Sequence, residues 1–148
     1  MEYLALGSFD YGLAAEGINF FAVVVATIFS FVLGGYWYYE KTFGARWMKQ
    51  VGLKKKNLEN ANMTGVFSAA IVLIFIQALL LSLVMGELGI ATLTDGLLFG
   101  ALVGAGFGST TIAVQYLYAQ RSLELFAIDA GYITLQFIVM ATVIGWWQ

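Results

Sequence analysis

One acidic residue, Asp129, interrupts the apolar stretch LFAIDAGYITLQFIVM. An acidic side chain at such a position can bind a proton or a substrate. If this stretch crosses a membrane, an ionised carboxylate near midplane costs about 2.5–3.5 kcal/mol on insertion scales, and such an acid marks a functional site by default. Tyr132 and Gln136 follow at i+3 and i+7, so the three side chains share one helical face. We expect Gln115, on the preceding apolar segment, at a similar depth, and Arg121 can snorkel toward the carboxylate.

Two interpretations of Asp129 stay open. In the first, it clamps the last two apolar segments together by bonding Gln115, Arg121 or Tyr132. Interhelical polar bonds in membranes average about 0.6 kcal/mol, which is enough to fix the register of two helices. In the second, it titrates as a proton or substrate site. Gln77 and Gln136 are predicted to be interhelical donors elsewhere in the bundle.

The residue types that are missing restrict the chemistry further. The sequence contains no histidine and no cysteine, which excludes imidazole bases, thiolate nucleophiles, disulfides and the metal sites that these side chains build. No second acid lies beside Asp129 within the apolar segments for general acid–base work. We therefore expect no catalytic residues, no metal and no cofactor, and we expect that the protein is not an enzyme.

Four long apolar segments must position these side chains. The 148-residue chain is 61% hydrophobic and 11% charged, whereas soluble domains carry about 25% charged residues. Each segment has the roughly 20 residues that a helix needs to cross a bilayer, and their unbroken apolarity excludes barrel strands. The prediction is an all-α integral membrane bundle with spans at about 19–39, 64–86, 95–118 and 125–147. Residues 1–18 are predicted to form an outer-face N-terminal extension, and residues 19–148 the transmembrane domain.

The basic residues predict the orientation. Six of the seven lie in the loop 40–63, between the first two spans, and the seventh, Arg121, lies between the last two. Both loops fall on one side of a four-span protein, and the positive-inside rule makes that side cytoplasmic. Both termini are then predicted outside.

The stretch GGYWYYEKTFGARWMKQVGL, residues 34–53, combines aromatic and basic side chains at the end of the first span. Amphipathic rings favour the headgroup layer of a membrane, and neighbouring cations meet its phosphates. Phe43, Trp47 and Val51 recur at i, i+4 and i+8, which predicts a short amphipathic helix on the cytoplasmic side. We expect lipid anchoring rather than a specific site, with anionic headgroups as partners. The predicted interface residues are Trp37, Tyr38, Lys41, Arg46 and Trp47.

A ladder of glycines repeats every four residues along the third span, as in a glycine zipper. Small residues at this spacing let two helix backbones approach closely. The ladder therefore predicts helix packing, either against another span of the same chain or across the axis of a homo-oligomer. Its members are Gly96, Gly100, Gly104 and Gly108.

Four stretches in order, GGYWYYEKTFGARWMKQVGL, ENANM, DGLLFGALVGAGFG and LELFAIDAGY, resemble the membrane family labelled domain of unknown function 1761. The resemblance covers about residues 19–147, and its more specific elements are Phe43-Gly44-x-x-Trp47-Met48 and Asp129-Ala-Gly-Tyr132. Where members often have Ser-Pro, this chain has Tyr39-Glu40. The resemblance implies a four-span bacterial protein, and hence the cytoplasmic (inner) membrane, without supplying an activity.

Function is expected to follow from these packing signals rather than from catalysis. A small, loop-poor chain of this kind suits an accessory or assembly subunit of a membrane complex, with other membrane proteins as partners. The alternative is a homo-oligomeric channel or small transporter that uses Asp129 in an intramembrane polar site. Four-span transporters of the small multidrug resistance type place their essential acid in the first span, and this first span has none.

Overall fold

The structure, a computed structural model, describes residues 17–147, so the extension predicted at residues 1–18 lies almost entirely outside the described residues. Between residues 17 and 147 the chain forms helices and turns without any β-strand. Four helices are long and apolar enough to cross a membrane, which confirms the predicted fold class. The helices are α1 (Phe20–Trp37), α2 (Ala45–Val51), α3 (Lys55–Glu59), α4 (Met63–Glu87), α5 (Leu93–Tyr118) and α6 (Leu123–Trp146).

Each spanning helix begins at a polar side chain that caps it. An N-cap oxygen accepts a hydrogen bond from a backbone N–H in the first turn, which otherwise has no partner within the helix. The side-chain oxygens of Asn19, Asn62, Thr92 and Ser122 do this for α1, α4, α5 and α6. Because these caps adjoin the apolar runs, the observed bounds agree with the predicted spans to within two residues.

The last helix, α6, is the centre of the bundle. It packs against α1 on one side and against α5 on the other, while α4 packs mainly against α1 and only partly against α6. The shared core contains Val23 of α1, Met85 of α4, and Met140 and Ile144 of α6, all of them fully buried. The side chain of Asn19 donates to the carbonyl of Trp147, so the first and last spans also meet at the end of the bundle that carries the termini.

The glycine ladder of α5 lies against α6. A Cβ atom on Gly96, Gly100 or Gly104 would come within 3.0 Å of the α6 backbone, and one on Gly108 would meet the side chain of Ile133. The ladder therefore seats another span of the same chain, one of the two predicted arrangements. The middle of this helix, Leu102–Ser109, is wound as a π-helix, a rare form that is frequent at functional sites.

We expect Gly100→Ala to destabilise the protein by about 1–3 kcal/mol, because the added methyl group overpacks the contact with α6. Gly106→Ala is the matched control on the same helix, since its Cβ would meet only the side chain of Leu102, at 3.8 Å. Thermal unfolding in detergent measures both. Equal loss of stability in the two variants would contradict the close α5–α6 contact.

Candidate functional site

Asp129 joins three of the four spans at the loop-side end of the bundle, the end that carries residues 38–62 and 119–122. It lies six residues after the start of α6, about 9 Å along the helix. The hydroxyl of Tyr38, just after α1, donates to Oδ1 at 2.7 Å, and the hydroxyl of Tyr116, near the end of α5, donates to Oδ2 at 2.5 Å. Both carboxylate oxygens thus bind a side chain from a different span.

These two tyrosines replace the predicted partners Gln115, Arg121 and Tyr132. Successive residues of a helix point about 100° apart, so when Tyr116 faces α6 its neighbour Gln115 faces away and is exposed. Arg121 lies in the turn before α6 and is exposed as well. Tyr132 belongs to the site through its ring, which packs edge-to-face on Tyr38 with 5.1 Å between centroids.

The side chain of Trp37, the last residue of α1, turns into the protein. The indole Nε1 of Trp37 donates to the carbonyl of Ile128 at 3.0 Å, and its ring covers Gly131, where a Cβ would lie 3.1 Å from the indole. Phe43 stacks on the same indole with centroids 4.5 Å apart. The structure therefore places Trp37 in a contact between spans, and its position in the headgroup layer stays a prediction.

Tyr38 and Trp47 also make contacts within the protein, and their place at the membrane interface stays a prediction. Their rings meet edge-to-face at 5.5 Å, so Trp47, on the predicted apolar face of α2, packs on the residue that follows α1. Lys41 and Arg46, by contrast, are exposed as predicted for interface residues.

The turn Glu40–Gly44, a single π-helical turn, brings α2 back beneath the site. Gly44 is buried there, and a Cβ on it would collide with the backbone carbonyl of Tyr38, so the close return requires glycine. Beyond the turn, Gln50 of α2 donates to Glu124 at 2.5 Å and accepts from Ser122 at 2.6 Å. The loop between the first two spans is thereby fixed to the start of α6.

The other polar residue predicted on the Asp129 face, Gln136, belongs to a second contact. Its Nε2 donates to Oε1 of Gln77 on α4 at 2.8 Å, so Gln136 is a donor between helices as predicted, whereas Gln77 accepts. Ser109 of α5 lies between the two contacts and donates to the carbonyl of Ala130 at 3.1 Å. Among residues 17–147, no three acidic side chains come together as a metal site would require.

Comparison with known proteins identifies a family and no further relative. The family model described as "Protein of unknown function (DUF1761)" matches residues 21–145, and the chain belongs to this family. No curated protein and no solved structure matches it. The two sequence elements that carry the resemblance meet in space: Phe43 and Trp47 cover Trp37 and Tyr38, which in turn contact the element Asp129–Tyr132.

Removing either tyrosine hydroxyl is expected to weaken the contact between spans. Tyr38→Phe and Tyr116→Phe should each lower the free energy of unfolding by about 1–2 kcal/mol, since each leaves a carboxylate oxygen without its donor. Tyr118→Phe is the matched control, because Tyr118 is 88% exposed. Thermal unfolding in one detergent compares the three. If all three variants melted at the wild-type temperature, the two hydrogen bonds would not hold the bundle.

Proposed function

We propose that this protein is an accessory or assembly subunit of a membrane complex and not an enzyme. The observation that carries the proposal is the state of Asp129, whose two oxygens are held by Tyr38 and Tyr116 from two other spans. An intramembrane acid bonded in this way acts as a clamp that sets the positions of α1, α5 and α6 at one end of the bundle. Because the clamp fixes these positions, the helices present a surface of constant shape on which a partner protein can dock.

The hydrogen bonds of Asp129 favour the clamp over a transport site. A carboxylate that carries protons or substrate needs an oxygen that is free to bind them, whereas Tyr38 and Tyr116 each occupy one oxygen of Asp129. The homo-oligomeric channel or transporter is the second candidate, because Asp129 is only partly buried within its span.

The cations of the loop between α1 and α4 support anionic lipid headgroups as partners. Since the apolar side of α2 packs on the protein, its basic residues are left on the outward side. Basic residues near an anionic membrane surface contribute about 1 kcal/mol each. We infer the cytoplasmic membrane of a bacterium, with this loop on the cytoplasmic side and both termini outside. The exposed cations are Lys41, Arg46, Lys49, Lys54 and Lys56.

The proposed role is tested by extracting the protein gently from its native membrane and weighing the intact assembly by mass spectrometry. We expect a fixed stoichiometry with at least one other membrane protein. As a control, the Asp129→Asn protein reconstituted in vesicles should show the same proton and ion flux as wild type and a lower melting temperature. A pure homo-oligomer whose flux Asp129→Asn abolishes would overturn the accessory role and establish the channel or transporter.

The proposed orientation is tested with single cysteines, because the chain contains none of its own. Ala91→Cys, in the exposed turn between α4 and α5, should react with a membrane-impermeant maleimide in intact cells. Lys56→Cys, in the basic loop, should react only after the membrane is permeabilised. The reverse pattern would place the basic loop outside and would contradict the proposed orientation.

A further inference from the structure

A groove opens between the middles of α4 and α5, because these two helices pack against their neighbours and not closely against each other. Its volume is about 340 Å³, and α6 forms its floor. Gln77 lies 14 residues after the start of α4 and ten before its end, about 21 Å and 15 Å along the helix, so the groove lies near the bilayer centre. The side chains lining it include Gln77, Val103, Phe107, Thr111, Gln136 and Phe137.

The pair of glutamines, Gln77 and Gln136, gives this groove hydrogen-bonding groups. Gln136 is 5% exposed and donates one amide N–H to Gln77. The amide nitrogen of Gln77, on an exposed side chain, has no acceptor among residues 17–147. An amide carries two N–H donors, and in hydrocarbon an unsatisfied donor costs several kcal/mol because no water replaces the missing partner. The groove therefore offers hydrogen-bond donors at a depth where lipid offers no acceptor.

Thr111, the third polar side chain of the groove, does not offer its hydroxyl proton to a ligand. The hydroxyl of Thr111 donates to the carbonyl of Phe107 in its own helix at 2.6 Å. The remaining lining residues are apolar, with the rings of Phe107 and Phe137 on the α5 and α6 sides. An occupant must then be uncharged and largely apolar, and it must carry an acceptor oxygen that reaches Gln77.

The hydrogen-bonding groups of the groove decide between the kinds of occupant. The backbone carbonyls of a spanning helix from a second copy already accept hydrogen bonds within that helix, so its backbone offers Gln77 no acceptor. An acyl chain fits in width but carries its ester oxygens near the headgroups, far from the bilayer centre. A carbonyl-bearing ring with a short apolar tail fits both the volume and the donors.

We propose that the groove between α4 and α5 is a binding site for an uncharged ring carbonyl compound of the membrane quinone class. A ring carbonyl oxygen accepts from the amide of Gln77, and the ring lies between the phenylalanine side chains. The site is separate from the Asp129 clamp, which lies at the loop-side end of the bundle. The assembly role and this binding site therefore stand or fall independently.

The test measures binding of a short-tailed benzoquinone to the purified protein in lipid nanodiscs, by saturable thermal stabilisation. We expect saturation in wild type and an affinity about 5–10-fold lower in Gln77→Met, which keeps the size of the side chain and removes its donors. Thr111→Val is the matched control within the groove and should bind like wild type. Decylbenzene, which has the ring and tail without carbonyls, should not compete.

Several outcomes would overturn the proposal. Absence of saturable binding in wild type would do so, as would equal competition by decylbenzene or an unchanged affinity in Gln77→Met. If Gln77→Met does not fold, Phe107→Ala replaces it, since Phe107 is 69% exposed and its loss leaves the glutamine pair intact. If that variant bound the quinone with wild-type affinity, the ring would not lie beside Phe107 and the proposal would be wrong.

Discussion

The close approach of α5 to α6 is the constraint on which the rest of the bundle depends. Because the glycines facing α6 have no side chains, the two backbones come near enough for Ser109 to reach the carbonyl of Ala130 and for Tyr116 to reach Asp129. The other flank of α6 follows the same rule, since Gly131 makes room for the indole of Trp37. The small residues thus bring the helix backbones close enough for long side chains to make contacts between helices.

The hydroxyl and amide groups that find acceptors in the spans fall into two classes, whereas the buried hydroxyls of Ser30, Ser82 and Thr142 find none among the described residues. Thr27, Thr110 and Thr111 donate to carbonyls one turn earlier in their own helices, which satisfies them in hydrocarbon without linking helices. Tyr116 and Gln136, by contrast, bond across helices. Since backbone groups are already satisfied within each helix, only this second class and the packing contacts specify how the spans are arranged. The arrangement therefore rests on few side chains.

The spans and the close-packing ladder could be predicted from the sequence, whereas the rotation of each span could not. Bilayer thickness fixes the length of an apolar run, and a polar N-cap marks where its helix begins. A helix that is apolar all round carries no stripe to show which face is inward. Gln115 was therefore expected beside Asp129 although its neighbour Tyr116 occupies that place. Trp37 and Tyr38 also pack within the protein, and Gly44, buried where the chain returns, is the residue in the sequence that permits this close return.

The contacts are distributed unevenly, and this asymmetry connects the structure to its two proposed roles. At the loop-side end, the Asp129 cluster and the Gln50 bonds tie together segments far apart in sequence, so this end holds its shape. The groove between the middles of α4 and α5 has α6 as its floor, and the residues that line it include neither Asp129 nor its two tyrosine partners. The proposed binding site and the proposed clamp therefore use different side chains of the same bundle, which is why each can be changed by substitutions that leave the other's residues in place.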